Sequence, residues 1–150
     1  GRTFVDLNRI QRGSWAVESD VDGAQFGRFY NWETAKTVCP AGWHLPSKQE
    51  FRALLDSLGG SDEERFAALA EGGSSGFDAL LTGSHLEACG QRGRVASYWS
   101  GTLWWFSSLP WSTENPWRLC LFGGHDGPFA QIGHFAEGDC GLNVRCVEDR

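Results

Sequence analysis

The apolar residues of this chain change period once, and the change predicts its architecture. Phe51, Leu54, Leu55 and Leu58 recur at i, i+3, i+4 and i+7, the spacing that lines one side of an α-helix. Ser47, three residues before Glu50, makes a capping box at the start of that helix, and Gly59-Gly60 ends it. A second helix is expected over Asp62–Ala70. Its first turn is acidic, where the helix dipole favours negative charge, and Phe66 and Leu69 face inward. A shorter helix, Trp32–Val38, is capped by Asn31 and stopped by Pro40. Upstream, Thr3–Leu7 and Ser14–Val17 read as short strands. Cys39 to Pro46 reads as a rigid, turn-rich connector.

From Gly72 onward the helical period is gone. Phe77–Leu81, Tyr98–Thr102, Trp117–Phe122 and Leu142–Val147 look like short strands between glycine-rich loops. Helices first and strands with long loops afterwards indicate an α+β domain, two to three helices packed on short antiparallel strands. Gly123–Gly141 has no period and little charge, so it reads as a long loop of the kind that is functional or disordered. Its Phe129, Ile132 and Phe135 argue against disorder. With no internal repeat and no low-complexity linker, residues 1–150 are taken as one domain. A chain of this length buries roughly 70% of its unfolded surface.

Composition narrows the function. Eight Trp, ten Phe and twenty Gly with no Met supply either a packed core or a rigid contact surface, joined by many turns. Leu103-Trp104-Trp105-Phe106, with Trp111, cannot all be core at such close spacing. Alternate strand residues face opposite sides, so some of these rings are expected to be exposed as a binding patch. A net charge of −6 argues against nucleic acid or an anionic membrane as partner, because phosphate binding needs clustered Lys and Arg. No apolar run approaches the ~18 residues of a membrane span.

The residues that could carry chemistry do not assemble into a motif. Cys89 near His85, or Cys140 near His134 and Asp139, lack the context of a nucleophilic site, so a non-catalytic domain is expected. His125, Asp126, His134, Glu137 and Asp139 have metal-ligand chemistry but irregular spacing. Glu114-Asn115-Pro116 has the composition, in the wrong order, of a tripeptide that holds calcium in sugar-binding lectins. No metal and no cofactor is expected. The five cysteines show no C-x-x-C spacing, which disfavours a zinc knuckle and leaves one structural bridge plus loose thiols as the preferred reading.

Several segments together carry a family resemblance. They are Phe4-Val5-Asp6-Leu7, Gly27-Arg28-Phe29-Tyr30-Asn31-Trp32, Cys39-Pro40-Ala41-Gly42-Trp43-His44-Leu45-Pro46-Ser47, Tyr98-Trp99-Ser100-Gly101-Thr102, Pro116-Trp117 and Asn143-Val144-Arg145-Cys146-Val147. In this order the chain resembles the Fibrobacter succinogenes major paralogous domain, of the formylglycine-generating-enzyme branch of the C-type lectin fold. The resemblance implies a C-type-lectin-like fold, a bacterial surface or secreted protein, and a ligand-binding role. It also implies a disulfide between Cys39 and Cys146. Closing a loop of about a hundred residues stabilises by up to ~4.7 kcal/mol in the chain-entropy model.

The same scaffold serves as the variable protein of diversity-generating retroelements, in which template adenines are randomised. An AAC codon then becomes any codon ending in C, which never encodes Met, Trp, Lys, Gln or Glu. Cys120, Phe122 and most of Gly123–Asn143 belong to the permitted set, with Gln131 and Glu137 as departures. Trp104, Trp105 and Trp111 also depart, which leaves the N-terminal limit of a variable segment, about 103–143, open. What the resemblance implies is a diversified surface on a cell or phage particle that recognises a protein or glycan. Its contacts would come from Leu103, Trp104, Trp105, Phe106, Trp111, Arg118, Cys120, Phe122, His125, Asp126, Phe129, Gln131, His134, Phe135 and Asp139. A fixed surface module for one carbohydrate or protein is the alternative. A relic of a formylglycine-generating enzyme comes third, since those enzymes are much longer and need paired active-site cysteines with copper, and their insertions are absent here.

Overall fold

Capping fixes where the helices begin. In the computed structural model, which describes residues 4–6, 14–16, 28–83, 93–103, 115–125, 127–134 and 141–150, the chain forms β1 (Phe4–Asp6), β2 (Ser14–Ala16), β3 (Arg28–Tyr30), α1 (Trp32–Ala35), β4 (Trp43–His44), α2 (Lys48–Leu58), α3 (Asp62–Leu69), β5 (Val95–Leu103), β6 (Pro116–Gly124), β7 (Gly127–His134) and β8 (Arg145–Glu148). The expected capping box opens α2: the Glu50 amide donates to Ser47 Oγ at 3.1 Å and the Ser47 amide donates to the Glu50 carboxylate at 3.1 Å. α3 opens on a second box, Ser61 with Glu64, a Ser-x-x-Glu pattern that is plain in the sequence. Phe51 and Leu55 of the expected stripe are buried, and Leu54 and Leu58 pack partly buried against the same core. α1 is shorter than expected. After its Asn31 cap the chain tightens into an i,i+3 bond, Thr37 amide to Thr34 carbonyl, ahead of Pro40.

All strand pairs are antiparallel, in sheets ordered β1-β8-β4, β2-β3 and β5-β6-β7. The α+β class is as the sequence implies, but four segments differ. Gly123–Gly141 does not begin as a loop. β6 runs to Gly124, the chain reverses, and β7 pairs back along it from Gly124↔Gly127 to Trp117↔His134. Gly127 takes φ 93° to make this reversal, a backbone shape that favours glycine. Phe77–Leu81 is not a strand, because Asp78 takes φ 49° and breaks the extension. Only Ala79 forms a bridge there, to Ala70, although Phe77 and Ala79 are both buried. Trp43–His44, expected within a connector, pairs with β8. Of the expected strand Leu142–Val147, Leu142 and Asn143 form single bridges and the ladder starts at Arg145.

Two cores flank β5. Ala96 and Tyr98 join Phe51, Leu55, Leu69, Phe77, Leu119, Leu121 and Ala130 between the β5-β6-β7 sheet and α2 and α3. Trp99 joins Tyr30, Trp32, Ala35, Leu45, Leu142, Val144 and Cys146 on the opposite side. The two indoles are satisfied by backbone. Trp99 Nε1 donates to the Tyr30 carbonyl at 2.6 Å, and Trp32 Nε1 donates to the Ser100 carbonyl at 2.9 Å, as buried indole N–H groups require. Cys39 and Cys146 form the expected disulfide, with Cα atoms 5.7 Å apart, and close this second core. Asn143, buried, stitches three segments together. Its amide nitrogen donates to the Arg28 carbonyl at 3.1 Å, and its amide oxygen accepts from Thr82 Oγ1 at 2.7 Å.

Candidate functional site

The β6-β7 hairpin has two unlike faces. Directly opposed residues of an antiparallel pair share a side, and successive residues alternate. Leu119, Leu121 and Ala130 therefore point toward α2 and α3, where they are almost entirely buried. Gly123 shares that side, and a Cβ there would stand 3.1 Å from the Phe66 ring. The intervening residues, Arg118, Cys120 and Phe122 on β6 and Phe129, Gln131 and Gly133 on β7, make up the outer face. None of these six is fully buried, and Gln131 is exposed. On β5 the same side is covered: its register partners Ser97 and Trp99 are wholly buried, Trp99 in the second core.

The outer face is ordered by its own contacts. Phe122 and Phe129 stand opposite each other with ring centroids 5.2 Å apart and planes 26° apart, a stacked cross-strand pair. Cys120 lies between Phe122 and Arg118, opposite Gln131, and is a free thiol. Ser97 Oγ donates a weak bond to Cys120 Sγ at 3.6 Å. Arg118 lies over Gly133, whose missing Cβ would sit 4.0 Å from Nε. Among the described residues of this face there is one guanidinium and no carboxylate, in a chain of net charge −6. Such a surface can stack a flat apolar group on the Phe pair and offer directional polar contacts from Gln131 and Arg118.

Of the residues the sequence nominates for contact, Arg118, Cys120, Phe122, Phe129 and Gln131 come together on this face. His125 is exposed at the hairpin end. Leu103, opposite Pro116 at the end of β5, is 38% exposed. His134 closes β7 opposite Trp117. Trp104, Trp105, Phe106, Trp111, Asp126, Phe135 and Asp139 lie outside the described residues, as do Cys89 and Cys140. The proposed segment 103–143 is not uniformly surface: Leu119, Leu121, Ala130, Leu142 and Asn143 within it are buried. Trp117 is half-buried beneath Lys48 Nζ, 3.6 Å from its ring centroid, and buttresses α2. Sequence reading missed Ser97 and Asn143, whose partners lie 23 or more residues away. The period-two alternation on β7 was the available signal for the face itself.

Among the described residues no group of three or more His, Cys, Asp and Glu is placed to hold a metal ion. No helix among them is long and apolar enough to cross a membrane. The family model for the Fibrobacter succinogenes major domain matches residues 6–148. No curated protein and no solved structure matches the chain.

Proposed function

We propose that this chain, which belongs to the Fibrobacter succinogenes major domain family, is a non-catalytic ligand-binding domain that presents the outer face of its β6-β7 hairpin to a protein or glycan outside the cell. The observation that carries this reading is the division of the hairpin. Leu119, Leu121 and Ala130 hold it to the core, while Phe122, Phe129, Cys120, Gln131 and Arg118 remain accessible on the other side. Recognition surfaces gain from rigid aromatic anchors beside adaptable polar groups on a stable frame. The outer face has both. The retroelement reading adds that Arg118, Cys120, Phe122 and Phe129 are diversified positions and Gln131 a fixed one, since substitution on this face leaves the core layer untouched.

Sibling copies of the gene from one genome test this. Differences are expected within 103–143 at codons ending in C, concentrated at 118, 120, 122 and 129 and sparse at the buried 119, 121, 130, 142 and 143, with Gln131 constant because no codon ending in C encodes it. A near-duplicate template beside a reverse-transcriptase gene is expected with them. Even scatter along the gene overturns the diversification. At the protein level, binding of the immobilised domain to host-cell surface extracts and glycan arrays should be lost with Phe122→Ala and Phe129→Ala together. Binding that persists unchanged in that variant overturns the assignment of the face.

A further inference from the structure

His44 occupies a position that the binding face does not explain. It sits on β4 with each ring nitrogen aimed at a different carboxylate: Nε2 lies 2.7 Å from Glu50 Oε1, and Nδ1 is hydrogen-bonded to Asp149 Oδ1. Glu50 belongs to the first turn of α2, where the same Oε1 also accepts from the Ser47 amide. Asp149 follows β8 and is further tied by its amide to the Gly42 carbonyl at 2.8 Å. Ionised carboxylates only accept, and neutral imidazole carries one N–H. Both bonds therefore exist together only with the imidazolium. A neutral ring must leave one of its nitrogens lone pair to lone pair against a carboxylate.

The two carboxylates differ in what else holds them. The Glu50 side chain is 17% exposed and fixed by the capping box, whereas the Asp149 side chain is 54% exposed. Loss of the proton therefore breaks the Asp149 bond first. The next residue, Arg150, lines a groove of roughly 620 Å³ between α2 and the Ser75–Phe77 turn, together with Glu50, Leu54, Leu58 and Phe77. We propose that His44 is a proton-operated latch: as imidazolium it fastens the Asp149–Arg150 segment across this groove, and on deprotonation it releases that segment.

Burial of His44 opposes its charge, but the hydrogen bonds to Glu50 and then Asp149, with the charges of both, outweigh it and hold its pKa above the ordinary 6.5. Glu50 and Asp149 are the charges acting on the ring. Of the other ionisable groups on the packed elements, Lys48 is engaged over Trp117, and Glu148 and Arg150 flank Asp149. A raised folded-state pKa means the latch contributes fully below the ordinary histidine value and is lost as pH rises through the raised one.

NMR titration of the whole domain tests the proposal. The His44 ring should titrate above 6.5. With the same midpoint, the Asp149 amide should lose protection against hydrogen exchange, and the Leu54 and Leu58 methyls lining the groove should shift. Asp149→Asn, at an exposed position, should fold normally, bring the His44 midpoint down toward 6.5 and abolish the pH response of the methyls. His44→Gln should leave the segment released at every pH. A His44 midpoint at or below 6.5 overturns the latch, as does an Asp149 amide or a pair of groove methyls that stays flat through the His44 transition.

Discussion

The two sides of β6 do opposite work. Leu119 and Leu121 have no exposed surface and pack with Phe51, Leu55 and Ala130. Arg118, Cys120 and Phe122, one residue away in each case, face outward beside Phe129 and Gln131. Backbone pairing is common to both sides, so the hairpin keeps its shape through hydrogen bonds indifferent to side-chain identity. On the proposed reading, a strand thereby separates stability from recognition at a spacing of one residue, which a helix achieves only across its width.

The sharpest way to break this comparison is to cut into the buried side. Leu121→Ala is expected to lower the unfolding free energy by about 2–5 kcal/mol, read from the urea midpoint. A loss below about 1 kcal/mol would place Leu121 outside the core. Asn143→Ala probes where the tolerant segment ends. It leaves the Thr82 hydroxyl and the Arg28 carbonyl without their buried partner and should cost about 1–3 kcal/mol in the same measurement. On the outer side, Phe122→Ala with Phe129→Ala removes a half-buried stacked pair. It should cost about 1–2 kcal/mol of stability and, on the proposed reading, at least about tenfold in affinity by surface plasmon resonance. Gln131→Ala should stay within about 0.5 kcal/mol of the parent, as exposed substitutions do. A large stability loss at Gln131 would remove the distinction between the sides.

The helical half of the fold is legible because its signals are local. Ser47 and Glu50 sit three residues apart and meet as a capping box, and Phe51 and Leu55 are buried as their spacing implies. The strand half is legible where aromatic and aliphatic residues are dense, as in Tyr98–Thr102 of β5 and Trp117–Phe122 of β6. β7 escaped because Gly123, Gly124, Gly127 and Pro128 carry turn chemistry. Pro128 is tolerated there because it lies at the start of a strand on the edge of its sheet, where a missing N–H is least costly. Beyond it, Phe129-Ala130-Gln131-Ile132 does alternate, with small and aliphatic residues inward. Phe77–Leu81 misled in the other direction: its apolar content reports burial, while Asp78 denies it an extended backbone. The permitted-codon composition of 103–143 does not separate the sides either, since Leu119, Leu121 and Ala130 satisfy it as well as Phe122 and Phe129 do. Bringing His44 to Asp149 spans 105 residues, beyond the reach of any local pattern.

The Cys39–Cys146 bond encloses the helices α2 and α3, all of β5, β6 and β7, and hence the entire outer face. A protease that nicks any peptide bond between the two cysteines creates a new pair of ends but no separate fragments. Both pieces stay covalently joined and migrate as one species until a reductant is added. A domain wired in this way can be clipped once on its outer face and still not shed it.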